Sequence, residues 1–246
     1  MTEKWLNDEE LTAKIAALEE NYKIVTENVA QAAIKSGRKP EEITLLAATK
    51  TVPVPVINRA IELGITCIGE NKVQELCEKY DQLHLEHCDC HFIGHLQTNK
   101  VKQLIGKVSM IHSVDSVKLA KEISKISQQQ HLVTDILVEI NVGKEESKGG
   151  IYIEDTESFL GEISTLSGIS VKGLMTIPPA DENITKTIHY FENMSKKLVD
   201  IRSKKLDNIS MNCLSMGMSA DYAQAIEAGA NIVRVGSALF GQRVYK

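Results

Sequence analysis

Ile43-Thr44-Leu45-Leu46-Ala47-Ala48-Thr49-Lys50 is followed by Thr51-Val52-Pro53, by the helical spacing of residues 54–63, and then by a second apolar run at 65–69. An uninterrupted apolar segment of this length reads as a strand buried on both faces, and strand, turn, helix, strand is the repeating unit of a parallel sheet. The pattern continues through the chain. Apolar runs fall at 43–49, 65–69, 91–94, 110–113, 135–142, 171–176, 212–216 and 232–236, with candidate helices at 54–63, 72–80, 99–106, 116–129, 156–166, 184–205 and 220–228. Eight strands in roughly 200 residues match an α/β fold of the (β/α)₈ barrel type. A doubly wound open sheet is the alternative, but no Gly-x-Gly-x-x-Gly follows the first strand. Ahead of the barrel, Leu11, Ile15, Leu18, Tyr22, Val25 and Val29 mark one face of an extra N-terminal helix that stops near Gly37. No repeat, linker or composition shift divides the chain, which reads as a single domain over residues 1–246.

Composition narrows the function. Of 246 residues 43% are hydrophobic, enough for one large core, and 28 basic against 33 acidic residues give a net charge of -5. No block of one sign and an aromatic content of 4% argue against a nucleic-acid surface. The polar, acidic N-terminus and the lack of a long apolar stretch argue against a signal peptide or membrane span, so the expectation is a cytoplasmic protein. Five irregularly spaced cysteines fit reduced thiols.

In such a barrel the chemistry gathers at the C-terminal ends of the strands. Lys50 arrives there from strand one. Burial lowers the pKa of an ammonium and leaves free amine for attack on an aldehyde, which makes Lys50 a Schiff-base candidate; the alternative is a lysine turned to solvent or paired with a carboxylate. After strands seven and eight, Ser215-Met216-Gly217-Met218-Ser219 and Gly236-Ser237 offer backbone N–H groups and hydroxyls in the manner of a phosphate cup. Arg234 shares a strand face with Gly236 and needs a partner, either a carboxylate such as Glu70 or an electron-rich ligand atom. A reactive lysine, a phosphate cup and an arginine between them suit pyridoxal 5′-phosphate (PLP).

With these residues assembled, the chain resembles the pyridoxal phosphate homeostasis protein family, also called the proline synthase co-transcribed family, from about Leu45 to Arg243. The resemblance rests on Ala48-Thr49-Lys50-Thr51, Gly69-Glu70-Asn71-Lys72, His91-Phe92-Ile93-Gly94-His95-Leu96-Gln97, Ile111-His112-Ser113-Val114-Asp115, Gly173-Leu174-Met175-Thr176, Leu214-Ser215-Met216-Gly217-Met218-Ser219 and Val233-Arg234-Val235-Gly236-Ser237. It implies the alanine racemase N-terminal barrel of fold type III, with an internal aldimine on Lys50. Ser215, Gly236 and Ser237 would hold the phosphate, Arg234 would face the ring nitrogen, and Asn71 would line the ring pocket. Residue 237 is Ser where the family often has Thr, and residue 90 is Cys where an aromatic is frequent.

The resemblance also frames the activity. Racemising relatives draw a second base from a further C-terminal domain, whereas this chain ends at Lys246, ten residues after Gly236. The expectation is therefore a monomeric PLP carrier with no assigned catalytic residue, supplying apo PLP-dependent enzymes as transient recipients. The alternative is a weak racemase-like enzyme on amino acids, for which His95 and Tyr152 are the candidate second bases. Lys148, in the loop after strand five, is either a transient acceptor of the aldehyde or part of a solvated charged loop. The cluster His84-Leu85-Glu86-His87-Cys88-Asp89-Cys90-His91 is rich in metal-ligand types, but its spacing matches no usual zinc pattern, and no metal is expected.

Overall fold

The computed structural model describes residues 7–179, 183–204 and 206–242. Eight parallel strands close into a barrel in sequential order. They are β1 (Thr44–Ala48), β2 (Cys67–Glu70), β3 (Asp89–Phe92), β4 (Met110–Val114), β5 (Thr134–Ile140), β6 (Ile169–Thr176), β7 (Ile209–Ser215) and β8 (Ile232–Val235). The helices are α1 (Asp8–Lys35), α2 (Val54–Glu62), α3 (Val73–Lys79), α4 (Val101–Leu104), α5 (Val117–Gln129), α6 (Thr156–Ile163), α7 (Ile184–Arg202), α8 (Tyr222–Glu227) and α9 (Ser237–Phe240). β1 pairs with both β2 and β8, which closes the ring.

Side chains alternate across each strand. Outward residues such as Ala47, Ile68, Ile111, Ile136 and Val233 pack under the helices. Inward residues form a separate, smaller interior cluster that includes Leu46, Ala48, Ile93, Leu137 and Met175.

α1 begins with a capping box, Asn7 accepting from Glu10 N–H while the Glu10 carboxylate takes Asn7 N–H. It ends where the N–H groups of Gly37 and Arg38 return to the carbonyls of Ile34 and Ala33. Its buried face of Leu18, Val25, Val29 and Ala33 lies against α2, α8 and α9, and Asn21 donates to the Leu239 carbonyl at 3.1 Å. The N-terminal helix thus braces the helices that flank the β8–β1 seam.

Observed strands depart from the sequence reading mainly at their starts. β3 begins at Asp89, two residues before the apolar run, because the parallel ladder continues through Cys67↔Asp89 although the side chains there are polar. β6 and β7 likewise begin earlier, at Ile169 and Ile209, and β1 ends at Ala48. The helix read from the sequence at 184–205, the sixth of the barrel, runs to Lys205, which lies outside the described residues, as does Arg243.

Candidate functional site

Lys50 stands two residues past the end of β1, in a turn whose shape is held from outside the barrel. Thr49 N–H extends the ladder to the Gly69 carbonyl at 2.9 Å, and its hydroxyl reaches Oε1 of Glu70 at 2.8 Å. Behind this turn the buried Lys79 ammonium donates to the Thr49 carbonyl at 3.2 Å, to Glu70 Oε1 at 3.1 Å and to Glu75 Oε1 at 2.6 Å. Glu75 also accepts from Thr51 N–H, at the residue whose φ of 63° turns the chain toward α2. Burial pushes the Glu70 carboxyl up, with Lys79 opposing it. Glu70 therefore faces the helices and pairs with Lys79, which removes it as the partner of Arg234.

Arg234 points into the barrel and is buried. Its Nη1 donates to Ser215 Oγ at 2.6 Å and its Nη2 to the Thr176 carbonyl at 2.9 Å. Desolvation lowers its pKa to about 10, opposed by the carboxylates of Glu139 and Asp221, so it keeps its charge at neutral pH. Ser215 in turn lies 3.1 Å from His112 Nδ1, and His112 Nε2 lies 3.0 Å from His91 Nδ1.

Glu139, on β5, shares the inward face with Leu137. Burial, then the neighbouring Asp115, raise its pKa to about 7 against the pull of Arg234. Both carboxylates converge under the loop after β5: a Cβ on Gly149 would lie 3.4 Å from Asp115 Oδ2 and 3.6 Å from Glu139 Oε2. Asn141 pins that loop, donating to the Glu145 carbonyl at 2.8 Å and accepting from Glu145 N–H at 3.1 Å.

The ends of β7 and β8 lie side by side at the same mouth. Gly217, at φ 89°, cannot carry a side chain, since a Cβ would meet that of Ala225 at 2.5 Å. A Cβ added at Gly236 would lie 3.5 Å from Ala48 Cβ, so the β8 end packs against the strand that carries Lys50. The N–H groups of Gly236 and Ala238 both donate to Ser219 Oγ at 3.1 Å. Ser219 rather than Ser215 thus meets these donors, and Ser215 lies deeper, engaged with Arg234 and His112. Ser237 begins α9 beside them.

Asn71 follows β2, and its backbone lies so close to Gly94 that a Cβ there would be 2.0 Å from the Asn71 carbonyl oxygen. Its side-chain Oδ1 is buried with no hydrogen-bond partner among the described residues. His95 is exposed after β3, and Tyr152 is exposed with the Lys144 ammonium 5.9 Å from its ring centroid. Lys148 is exposed on the Asn141-pinned loop. Among the described residues no three His, Cys, Asp or Glu side chains gather as a metal site; Asp89, Cys90 and His91 of the polar cluster alternate within β3.

The sequence reading gives no role to His112 or Glu139, and takes His91 only as a member of the His84–His91 cluster rich in metal-ligand types. Their signal was present: each is a polar residue at an inward position of an otherwise apolar strand.

Residues 14–244 match the family described as alanine racemase, N-terminal domain. The Pyridoxal phosphate homeostasis protein of Aquifex aeolicus is 44% identical over 223 residues, 90% of this chain and 96% of that one. The protein of the same name from Escherichia coli is 33% identical, covering 92% and 96%. Among solved structures, PipY of Synechococcus elongatus with PLP bound aligns with a TM-score of 0.74 at 29% identity, over 87% of this chain and all of that one. Alanine racemase of Clostridium difficile in complex with cycloserine aligns at 0.71 and 18% identity, over 93% of this chain and 60% of that one, a likeness of fold alone.

Proposed function

Because the chain belongs to the alanine racemase N-terminal domain family and, within it, to the pyridoxal phosphate homeostasis proteins, we infer that it binds PLP at the C-terminal mouth of its barrel and acts in the homeostasis of that cofactor, buffering or delivering it. One arrangement carries this reading: Lys50, the convergent N–H groups of Gly236 and Ala238, and the buried guanidinium of Arg234 occupy adjoining strand ends. When bound, PLP supplies an aldehyde that condenses reversibly with an amine, and Lys50 is the residue that offers one. Gly236, Ser237 and the Ser219 segment hold the phosphate, and Ser215 holds Arg234 toward the ring nitrogen. Asn71, with its unmatched buried oxygen, lines the ring pocket.

Arg234 bears on what the protein does once loaded. A guanidinium that stays charged keeps a facing pyridine nitrogen unprotonated, and an unprotonated ring is a poor electron sink. That favours holding the cofactor over demanding carbanion chemistry. The recipients are apo PLP-dependent enzymes met transiently, and the protein works as a cytoplasmic monomer. Consistent with this, no helix among the described residues is long and apolar enough to cross a membrane, and all five cysteines are free thiols.

A second reading, a weak enzyme acting on amino acids, draws on Glu139. A carboxyl with a pKa of about 7 on β5, the strand opposite β1 in the ring, is a group able to hold a proton across the mouth from Lys50. The experiment that separates the readings loads the protein with PLP and follows two outcomes in parallel. Transfer of PLP to an apo-enzyme with no α-proton exchange of amino acids in heavy water supports the carrier. Exchange that vanishes in Lys50→Ala would support the enzyme.

A further inference from the structure

Five side chains inside the barrel form one hydrogen-bonded series from the cofactor face to the opposite end. Arg234 of β8, Ser215 of β7, His112 of β4, His91 of β3 and Cys67 of β2 follow one another at 2.6, 3.1, 3.0 and 3.5 Å. All five are buried, in an interior that barrels usually fill with branched apolar side chains. At the far end His91 and Cys67 line a cleft of about 520 Å³ on the N-terminal face.

The charged end fixes the direction of the series. A guanidinium only donates, so Ser215 Oγ accepts from Arg234. The Ser215 hydroxyl has one hydrogen to give, and the acceptor within reach is Nδ1 of His112. Burial, then His91 and Arg234, push the His112 pKa well below its ordinary value, and burial brings His91 to about 4, so both rings are neutral. A neutral His112 that accepts at Nδ1 carries its hydrogen on Nε2, which donates to His91 Nδ1. His91 then carries its own hydrogen on Nε2, and the Cys67 thiol is a weak second donor to a nitrogen already in use.

We propose that His112, backed by His91, is a positioning residue for the cofactor: it orients the Ser215 hydroxyl and through it holds the Arg234 guanidinium against the ring. The proposal rests on the reading of Arg234 as the residue that faces the PLP nitrogen. With His112 absent, Ser215 is free to turn and Arg234 keeps only the Thr176 carbonyl as a fixed acceptor. Loss of a buried partner of this kind is expected to weaken PLP binding about tenfold or more.

Two variants separate positioning from simple packing. His112→Gln keeps an acceptor for Ser215 and a donor for His91, whereas His112→Leu keeps bulk and loses both. The experiment measures PLP dissociation constants and the absorbance maximum of the loaded protein for wild type and both variants. Circular dichroism confirms that each is folded. In parallel, imidazole ¹⁵N NMR of the cofactor-free wild type reads the tautomers. The expected result is weakened binding and a displaced absorbance maximum in His112→Leu, both restored in His112→Gln, with hydrogen on Nε2 of His91 and His112. Equal affinity and spectrum in wild type and His112→Leu would overturn the proposal, as would hydrogen on Nδ1 of His112. Wild-type protein that failed to bind PLP at all would instead refute the parent reading, and this one with it.

Discussion

Replacing Glu139 with Gln should change how stability depends on pH, and the size of the change follows from its surroundings. The Glu139 pKa is raised from 4.5 to about 7, first by burial and second by Asp115. Between those two values the folded chain keeps the proton and the unfolded chain has released it. Stability therefore falls as pH rises through that window, at about 1.4 kcal/mol per pH unit, or about 3 kcal/mol across the whole of it. His91 acts in the opposite sense. Its pKa is lowered from 6.5 to about 4, so stability rises with pH between those values. The two groups offset each other in the wild type, and Glu139→Gln removes only the falling contribution. Urea unfolding of cofactor-free protein, followed by circular dichroism from about pH 5 to about pH 8, measures the difference. The variant should gain about 2 to 3 kcal/mol relative to wild type over that range, while His91 and His112 cancel between the two proteins. A constant gap at every pH would mean that the carboxyl titrates normally and that the loop carrying Gly149 does not cover it.

Other residues carry predictions of their own. Lys79→Met leaves the buried Glu70 without its cation and should cost about 3 kcal/mol or more in urea unfolding, partly recovered by adding Glu70→Gln; a loss under about 1 kcal/mol would show the pair to be dispensable. Ser219→Ala removes the acceptor shared by Gly236 and Ala238 and should cost the cofactor-free protein about 1 kcal/mol. PLP affinity should stay within about threefold, because phosphate oxygens can take both donors; lost binding would make the Ser219 hydroxyl itself a phosphate ligand. Lys148 is an exposed side chain on a pinned loop, and Lys148→Ala should leave the rate of PLP transfer to an apo-enzyme unchanged, whereas slower transfer would make it a relay.

The architecture was legible because burial imposes a strong pattern. Each parallel strand is covered on both faces, so β1, β4 and β5 stand out as apolar runs, and the helices between them show helical spacing. Strand starts were harder to read. Asp89 and Ser210 sit in strands by virtue of backbone pairing, which their polar side chains do not announce. The inward position of Arg234 was legible from strand alternation, and the position of Lys50 from the end of an apolar run. The partners were not, because they depend on which strands meet in space. Glu70, adjacent in sequence to the inward Gly69, faces outward to a lysine nine residues on. Arg234 donates to Ser215 and to the Thr176 carbonyl, and Ser215 in turn meets His112 on a strand more than 100 residues earlier. One residue of register decides such matters, and no local signal separates Ser215 from Ser219 as the hydroxyl that meets Gly236.

On the proposed function, this barrel holds PLP on Lys50. The direct measurement is reduction of the PLP-loaded protein with borohydride, proteolysis, and mass spectrometry to locate the modified residue, with Lys50→Ala alongside. Stoichiometric modification at Lys50, absent from the variant, is the predicted result; label spread over surface lysines such as Lys148, or equal labelling of the variant, would contradict it.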